Sequence, residues 1–220
     1  MQNLPKGSKK LLNAWAFYDW ANSVYSLVIA SAVFPIFYGA ITLVKDEQTG
    51  KILDDTVTFL GINFNNDSLI SYITALAFLV VSFLSPFLSG IADYVGNKKS
   101  FLKFFCYLGA ISCIGLFWFN IDYLWFGFLC YFLALIGFWA SLVFYNSYLP
   151  DIAFPEQQDK ISAKGFSLGY IGSVILLVIC LAMIMFYDTF GFEDEGLPTR
   201  LSFILTGDWW IGFSQYTYKY

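Results

Sequence analysis

Apolar residues run in long blocks along this 220-residue chain, separated by short polar and charged segments. A helix crossing ~30 Å of hydrocarbon needs ~20 mostly apolar residues, because each residue rises ~1.5 Å and every backbone N–H and C=O must be satisfied within the segment. Blocks of that kind predict spans at about 15–44, 68–92, 101–119, 123–148, 166–187 and 201–218. The stretches Ala21 to Val44, Ser68 to Ala92, Tyr123 to Tyr148 and Phe166 to Tyr187 hold no charged residue. Lys103 lies near enough to the start of the third span to snorkel into the headgroup region. The sixth span is interrupted by Asp208. The pattern predicts an all-α polytopic membrane protein, a six-helix bundle forming one transmembrane domain over 1–220.

Composition agrees with the pattern. Apolar residues make up 58% of the chain, aromatics 21% and charged residues 13%. So much apolar surface cannot be covered by the chain's own polar residues in water. The net charge of -4 offers no basic patch for phosphates, so a nucleic-acid partner is excluded, leaving the bilayer and a small molecule. There is no histidine, which removes histidine-centred metal sites, triads and proton relays. Cys106, Cys113, Cys130 and Cys180 lie inside apolar runs without C-x-x-C spacing and read as small hydrophobes. No metal, cofactor or enzymatic centre is expected.

The connecting segments carry orientation. Of the 12 basic residues, all but Lys45, Lys51 and Arg200 fall in the N-terminus, the turn near 93–103, the loop after the fourth span or the C-terminus. The segments 45–67, 120–122 and 188–200 are rich in Asp and Glu. Because Lys and Arg are retained on the cytoplasmic side, both chain ends are predicted inside, in an inner (plasma) membrane. A lysine-bearing start followed by Ala30-Ser31-Ala32 imitates a cleavable signal, but Asp19, Trp20 and Asn22 interrupt its apolar region, and an uncleaved helix is simpler.

Three segments could carry chemistry. Asp19, Asn22, Ser23 and Ser26 are spaced i, i+3, i+4 and i+7, which makes one polar stripe on the first helix. A carboxylate at that depth needs water or a partner, so the stripe reads either as a substrate pathway or as a helix-end cap near the interface. In the turn between the second and third spans, Asp93, Gly96, Lys98 and Lys99 form either a cytoplasmic gate or an ordinary basic turn. Asn146, within Tyr145-Asn146-Ser147-Tyr148-Leu149-Pro150-Asp151, lines an entrance or marks the membrane boundary. Gly165, Gly169 and Ser173 repeat at four-residue spacing, which allows another helix to approach closely. An intramembrane aspartyl protease would need paired acids on adjacent helices, and Asp19 with Asp208 is a poor pair because both are expected near the cytoplasmic side.

The Asp93 turn resembles the signature between the second and third helices of the major facilitator superfamily: Asp93, Gly96, Lys98 and Lys99 fit, whereas Ser89, Tyr94 and Asn97 depart from it. With Ala14 to Ser23, Tyr145 to Asp151, Gly165 to Gly172, Arg200 to Phe203 and Trp209 to Phe213, the chain resembles the UMF1 family of facilitators, which is similar to the autophagy-related vacuolar amino-acid effluxers of fungi. The resemblance implies a secondary transporter for a small polar solute, with amino-acid efflux as the family's lead. It also implies about twelve spans in two halves, of which this chain supplies the N-terminal one. The rival expectation is a truncated fragment that does not transport, or a module that needs a second polypeptide, whether a C-terminal half or a second copy.

Overall fold

The computed structural model describes residues 4–46, 48–95 and 97–220; for Ala92, Asp93 and Val95 it describes the backbone alone. Helix α1 (Lys9–Val24) starts at Ser8, whose hydroxyl accepts a bond from the Leu11 N–H. Such a cap satisfies one of the N–H groups that a first turn leaves without a partner. The run continues through a π-helical segment (Tyr25–Val33) into α2 (Phe34–Thr42). Pro35 explains where the wide turns end. It has no N–H to donate, and its ring crowds the carbonyl one turn back, so the preceding backbone repacks with i→i+5 bonds.

Two short antiparallel hairpins follow, β1 (Val44–Lys45) with β2 (Ile52–Asp54) and β3 (Thr56–Phe59) with β4 (Ile62–Asn65). The acidic connection expected from the sequence is therefore a folded cap. Helix α3 (Asn66–Val95) contains Pro86, and α4 (Lys98–Gly115) ends in a 3-10 turn at Leu116–Trp118. A second 3-10 turn at Ile121–Tyr123 leads into α5 (Leu124–Ile152), and α6 (Pro155–Met185) and α7 (Gly196–Lys219) complete the chain.

Helix α6 begins at Pro155, well before the apolar run that starts at Phe166. The polar residues between them, Lys160 and Lys164 included, form helical turns that project beyond the apolar span. A search for apolar runs finds only the part of a helix that meets hydrocarbon, so it misses such extensions.

Among the described residues, five helical runs are long and apolar enough to cross a membrane: Lys9–Thr42, Asn66–Ile91, Lys98–Trp118, Ile121–Ile152 and Pro155–Met185. Helix α7 is less apolar, yet its 24 residues reach ~36 Å. Hydrogen bonds tie both of its ends to the bundle. Arg200 donates to the carbonyls of Phe117 (2.7 Å) and Phe119 (2.6 Å) beyond α4, and Thr217 donates to Ala14 O (2.8 Å) near the start of α1. It therefore runs antiparallel to α1 along most of its length. Asp208, midway along α7, is exposed on the outside of the bundle.

Helix α1 packs on α6 and α7, α5 on α3 and α4, and α4 also on α7. Helices α4 and α5 approach closely where a Cβ on Gly137 would lie 2.5 Å from Gly109 Cα and N. All four cysteines are free and buried. Large aromatics fill the interior: Phe34 stacks on Tyr131 with ring centroids 4.3 Å apart, and Trp15 on Tyr145 at 4.2 Å. Such rings bury large areas and hold one another in register.

Candidate functional site

The polar stripe of the first helix opens onto a cavity of about 280 Å3 between α1, the π-helical segment, α5 and α6. Asp19, Asn22, Ser23 and Ser26 all line it, together with Phe138 and Leu142 of α5 and Phe166, Gly169, Tyr170 and Ser173 of α6. Its size is at the lower end of ligand sites, which run from ~300 Å3 upward.

Asp19 is only 7% exposed. Tyr145 Oη donates to Asp19 Oδ2 at 2.9 Å, joining α5 to α1 across 126 positions of sequence. The tyrosine is itself held from behind. Trp15 stacks on its ring and donates from Nε1 to Tyr145 O at 2.9 Å, so the hydroxyl is aimed by packing before it meets the carboxylate. A carboxylate held by a neutral donor keeps its charge available to a cation, whereas one paired to Lys or Arg would not.

Asn22 is 1% exposed; its Oδ1 accepts from Ser23 Oγ at 3.3 Å, and its Nδ2 has no partner among the described residues. Ser173 Oγ, on the facing helix and 2% exposed, also has none. Buried donors normally find acceptors, so two unpaired ones on the wall of one cavity point to a ligand or water contact. Both atoms are enclosed by protein, so the cavity sets the acceptor-only Asp19 near two donors that a small shift of its wall would uncover.

Ser31 extends the wall, and its place depends on the π-helical segment. Its hydroxyl donates to Ser26 O at 2.8 Å, five residues back. In an α-helix Ser31 would turn well away from Ser26, and the i, i+3, i+4, i+7 pattern therefore omits it. The five-residue turn brings the two together.

Glycines let α6 approach this close. A Cβ on Gly165 would press on Asp19 Oδ2 and lie 3.1 Å from Tyr145 Oη, and one on Gly169 would lie 2.6 Å from Ser23 Oγ. Gly165 and Gly169 thus meet the polar stripe itself, and Ser173 continues the same face as part of the cavity wall. Asn146 does not line the cavity and is exposed, turned about 100° around α5 from its buried neighbour Tyr145.

At the end of the bundle nearest the N-terminus, Lys98 Nζ donates to Asp151 Oδ2 (2.6 Å) and Ser147 O (2.9 Å), linking the start of α4 to the end of α5. Lys99 is part-buried between α1, α5 and α7, and its Nζ has no hydrogen-bond partner among the described residues. The Asp93 side chain and Gly96 lie outside the described residues. Of the four residues expected at a gate, Lys98 is tied to another helix by an ion pair within this same bundle.

A family model described as vacuole effluxer Atg22 like matches residues 7–220. The chain belongs to that family. Among its Atg22-like relatives, the uncharacterized MFS-type transporter YxiO of Bacillus subtilis (strain 168) is 34% identical over 204 residues, covering 90% of this chain and 43% of that protein. Autophagy-related protein 22 of Coccidioides immitis (strain RS) is 25% identical over 290 residues, covering 94% and 47%. The chain spans about half the length of the curated relatives it matches. No solved structure matches it. Tyr145, which holds Asp19, and Ser31, on the cavity wall, are polar residues that the sequence pattern had not marked.

Proposed function

We propose that this chain forms the N-terminal half of a secondary transporter, whose solute path runs along Asp19, Asn22, Ser23, Ser26 and Ser31 of the first span. The observation that carries the reading is the buried Asp19 carboxylate, held by Tyr145 on a cavity wall to which Asn22 and Ser173, each with an unpaired donor just beneath the surface, also contribute. An acceptor and donors in one small cavity suit a zwitterion. The ammonium of an amino acid would meet Asp19, and its carboxylate would meet Asn22 and Ser173. The effluxer name of the family and the MFS-type name of the Bacillus relative support movement of such a solute across a membrane. The distribution of Lys and Arg favours an N-terminus on the cytoplasmic side of the plasma membrane. Lys98, held on Asp151, would then restrain the inner end of the bundle.

A second reading rests on length. A path built between two halves needs a second half, and these residues cover 43% of the Bacillus relative, so transport would require that half from the same or a second polypeptide. Counterflow of a radiolabelled amino-acid mixture in proteoliposomes tests both. Uptake by the 220-residue chain that is lost in Asp19→Asn supports a self-sufficient half acting through the stripe. Uptake only when a C-terminal half is supplied makes the chain a module, and no uptake in either case overturns the transport reading.

A further inference from the structure

We propose that the β3–β4 hairpin inserts its tip into the lipid leaflet at the end of the bundle away from the N-terminus. The hairpin is two-faced. Its register pairs Thr56 with Asn65, Val57 with Phe64, Thr58 with Asn63 and Phe59 with Ile62. Alternation therefore gathers Val57, Phe59, Ile62 and Phe64 on one face and the Thr and Asn residues on the other. The apolar face lies on the bundle: Val57 is 2% exposed, the Phe59 ring meets Phe128 of α5 at 5.2 Å, and Phe64 meets Tyr72 of α3 at 6.3 Å.

The direction of the hairpin decides its surroundings. Its open end is anchored where α3 starts, by the bond from Asn66 N to Asp55 O (2.8 Å), and its tip shares a cavity of about 230 Å3 with Tyr72, Ile73 and Leu76. Three to four strand residues reach ~10–13 Å. Along α3, Tyr72 and Leu76 lie ~9 Å and ~15 Å from Asn66. The two lengths match, so the hairpin folds back beside α3 and does not stand up into water. The apolar span Asn66–Ile91 has 26 residues, or ~39 Å, which leaves ~4–5 Å beyond ~30 Å of hydrocarbon at each end. Tyr72 and Leu76 therefore lie ~4–10 Å inside the boundary, the depth at which amphipathic elements rest in a leaflet.

The tip has the composition for this depth. Residues 56–65 carry no charge, whereas 45–55 hold Lys45, Asp46, Glu47, Lys51, Asp54 and Asp55. Leu60 is 79% exposed and Ile62 59%. Leu60 and Gly61 both have left-handed backbones, φ 52° and 79°. A two-residue turn of that kind favours Asn-Gly or Asp-Gly, so an exposed leucine there is disfavoured by both backbone and water. Acyl chains remove the second penalty. On the outer face Thr58 Oγ1 donates to Asn63 Oδ1 at 2.7 Å, so those polar groups are partly satisfied by each other at headgroup level.

The test is the full 220-residue chain in liposomes with Leu60→Cys carrying a nitrobenzoxadiazole label; the four native cysteines are buried. Lipids with a doxyl group near the headgroup should quench the label at least about threefold more strongly than aqueous iodide does. Equal or stronger quenching by iodide would place the tip in water, and protection from both quenchers would place it against protein; either result overturns the proposal. A second variant keeps the turn and removes the apolar tip. With the label at Ile62→Cys, adding Leu60→Asn should reduce doxyl quenching at least about twofold. Unchanged quenching would show that Leu60 does not anchor the hairpin.

Discussion

Replacing Gly165 with alanine should disable the Asp19–Tyr145 pair without removing either partner. The added Cβ would fall well inside van der Waals contact with Asp19 Oδ2 and 3.1 Å from Tyr145 Oη. To restore ordinary contact the carboxylate must retreat by about 1 Å, enough to break a bond that now measures 2.9 Å. A hydrogen bond to a charged group is worth about 1.5–3 kcal/mol, so the expected loss in counterflow efficiency is about 10- to 100-fold. Tyr145→Phe removes the same bond by deleting its donor and should cost a similar factor. The double variant Gly165→Ala/Tyr145→Phe should be no worse than the poorer single variant, because the bond can be lost only once. The assay is initial-rate counterflow with the C-terminal half supplied. Gly172→Ala serves as the packing control, since its Cβ would press on Trp20 at 2.9 Å from the carbonyl and leave Asp19 alone. If the two losses multiply, or if Gly172→Ala lowers transport as much as Gly165→Ala does, Gly165 acts through general helix packing and the argument fails.

Other consequences can be checked without transport. Gly137→Ala must push α4 and α5 apart, because the new Cβ meets backbone atoms of Gly109 at 2.5 Å and Phe105 O at 2.8 Å; overpacking of that kind costs about 1–3 kcal/mol and should lower the melting temperature by roughly 2–12 °C in detergent. Asp208→Leu removes an exposed carboxylate at mid-span, and in a glycosylation-mapping assay the α7 segment should insert more favourably by about 3 kcal/mol, whereas no change would mean that Asp208 does not sit at bilayer depth. In the exposed first hairpin, the Thr49 hydroxyl and the N–H groups of Thr49 and Gln48 donate to Asp46 Oδ1 and hold its carboxyl below the usual carboxylate range. The sign follows from linkage: a lowered folded value means stabilisation of this turn is present above about pH 4 and lost as pH falls through that lower value. NMR titration should find the Asp46 midpoint below the ordinary value, and Thr49→Val should raise it.

What the sequence determined by itself is what depends on short-range order. A block of ~20 apolar residues can satisfy its backbone in a bilayer only as a helix, so the helical class was legible from composition and run length alone. The face shared by Asp19, Asn22, Ser23 and Ser26 was legible for the same reason, since i, i+3, i+4 and i+7 coincide on an α-helix whatever surrounds it. The four-residue glycine spacing announced a close approach on α6, though it did not name the neighbour.

The tertiary structure decided everything that joins distant positions or departs from a regular period. Nothing local couples Tyr145 to Asp19, because a helix fixes neighbours only within about four residues and the pair is 126 apart. Asn146 was the more polar candidate in that stretch, yet helical rotation turns it outward and gives the contact to the tyrosine beside it. Ser31 joins the cavity because the backbone before Pro35 widens to five-residue turns, a change of period that apolar patterning does not report. The polar start of α6 and the fold-back of the β3–β4 hairpin were illegible for a related reason. Run length measures what meets hydrocarbon, and only packing against α3 and α5 sets where the uncharged remainder of the chain comes to rest.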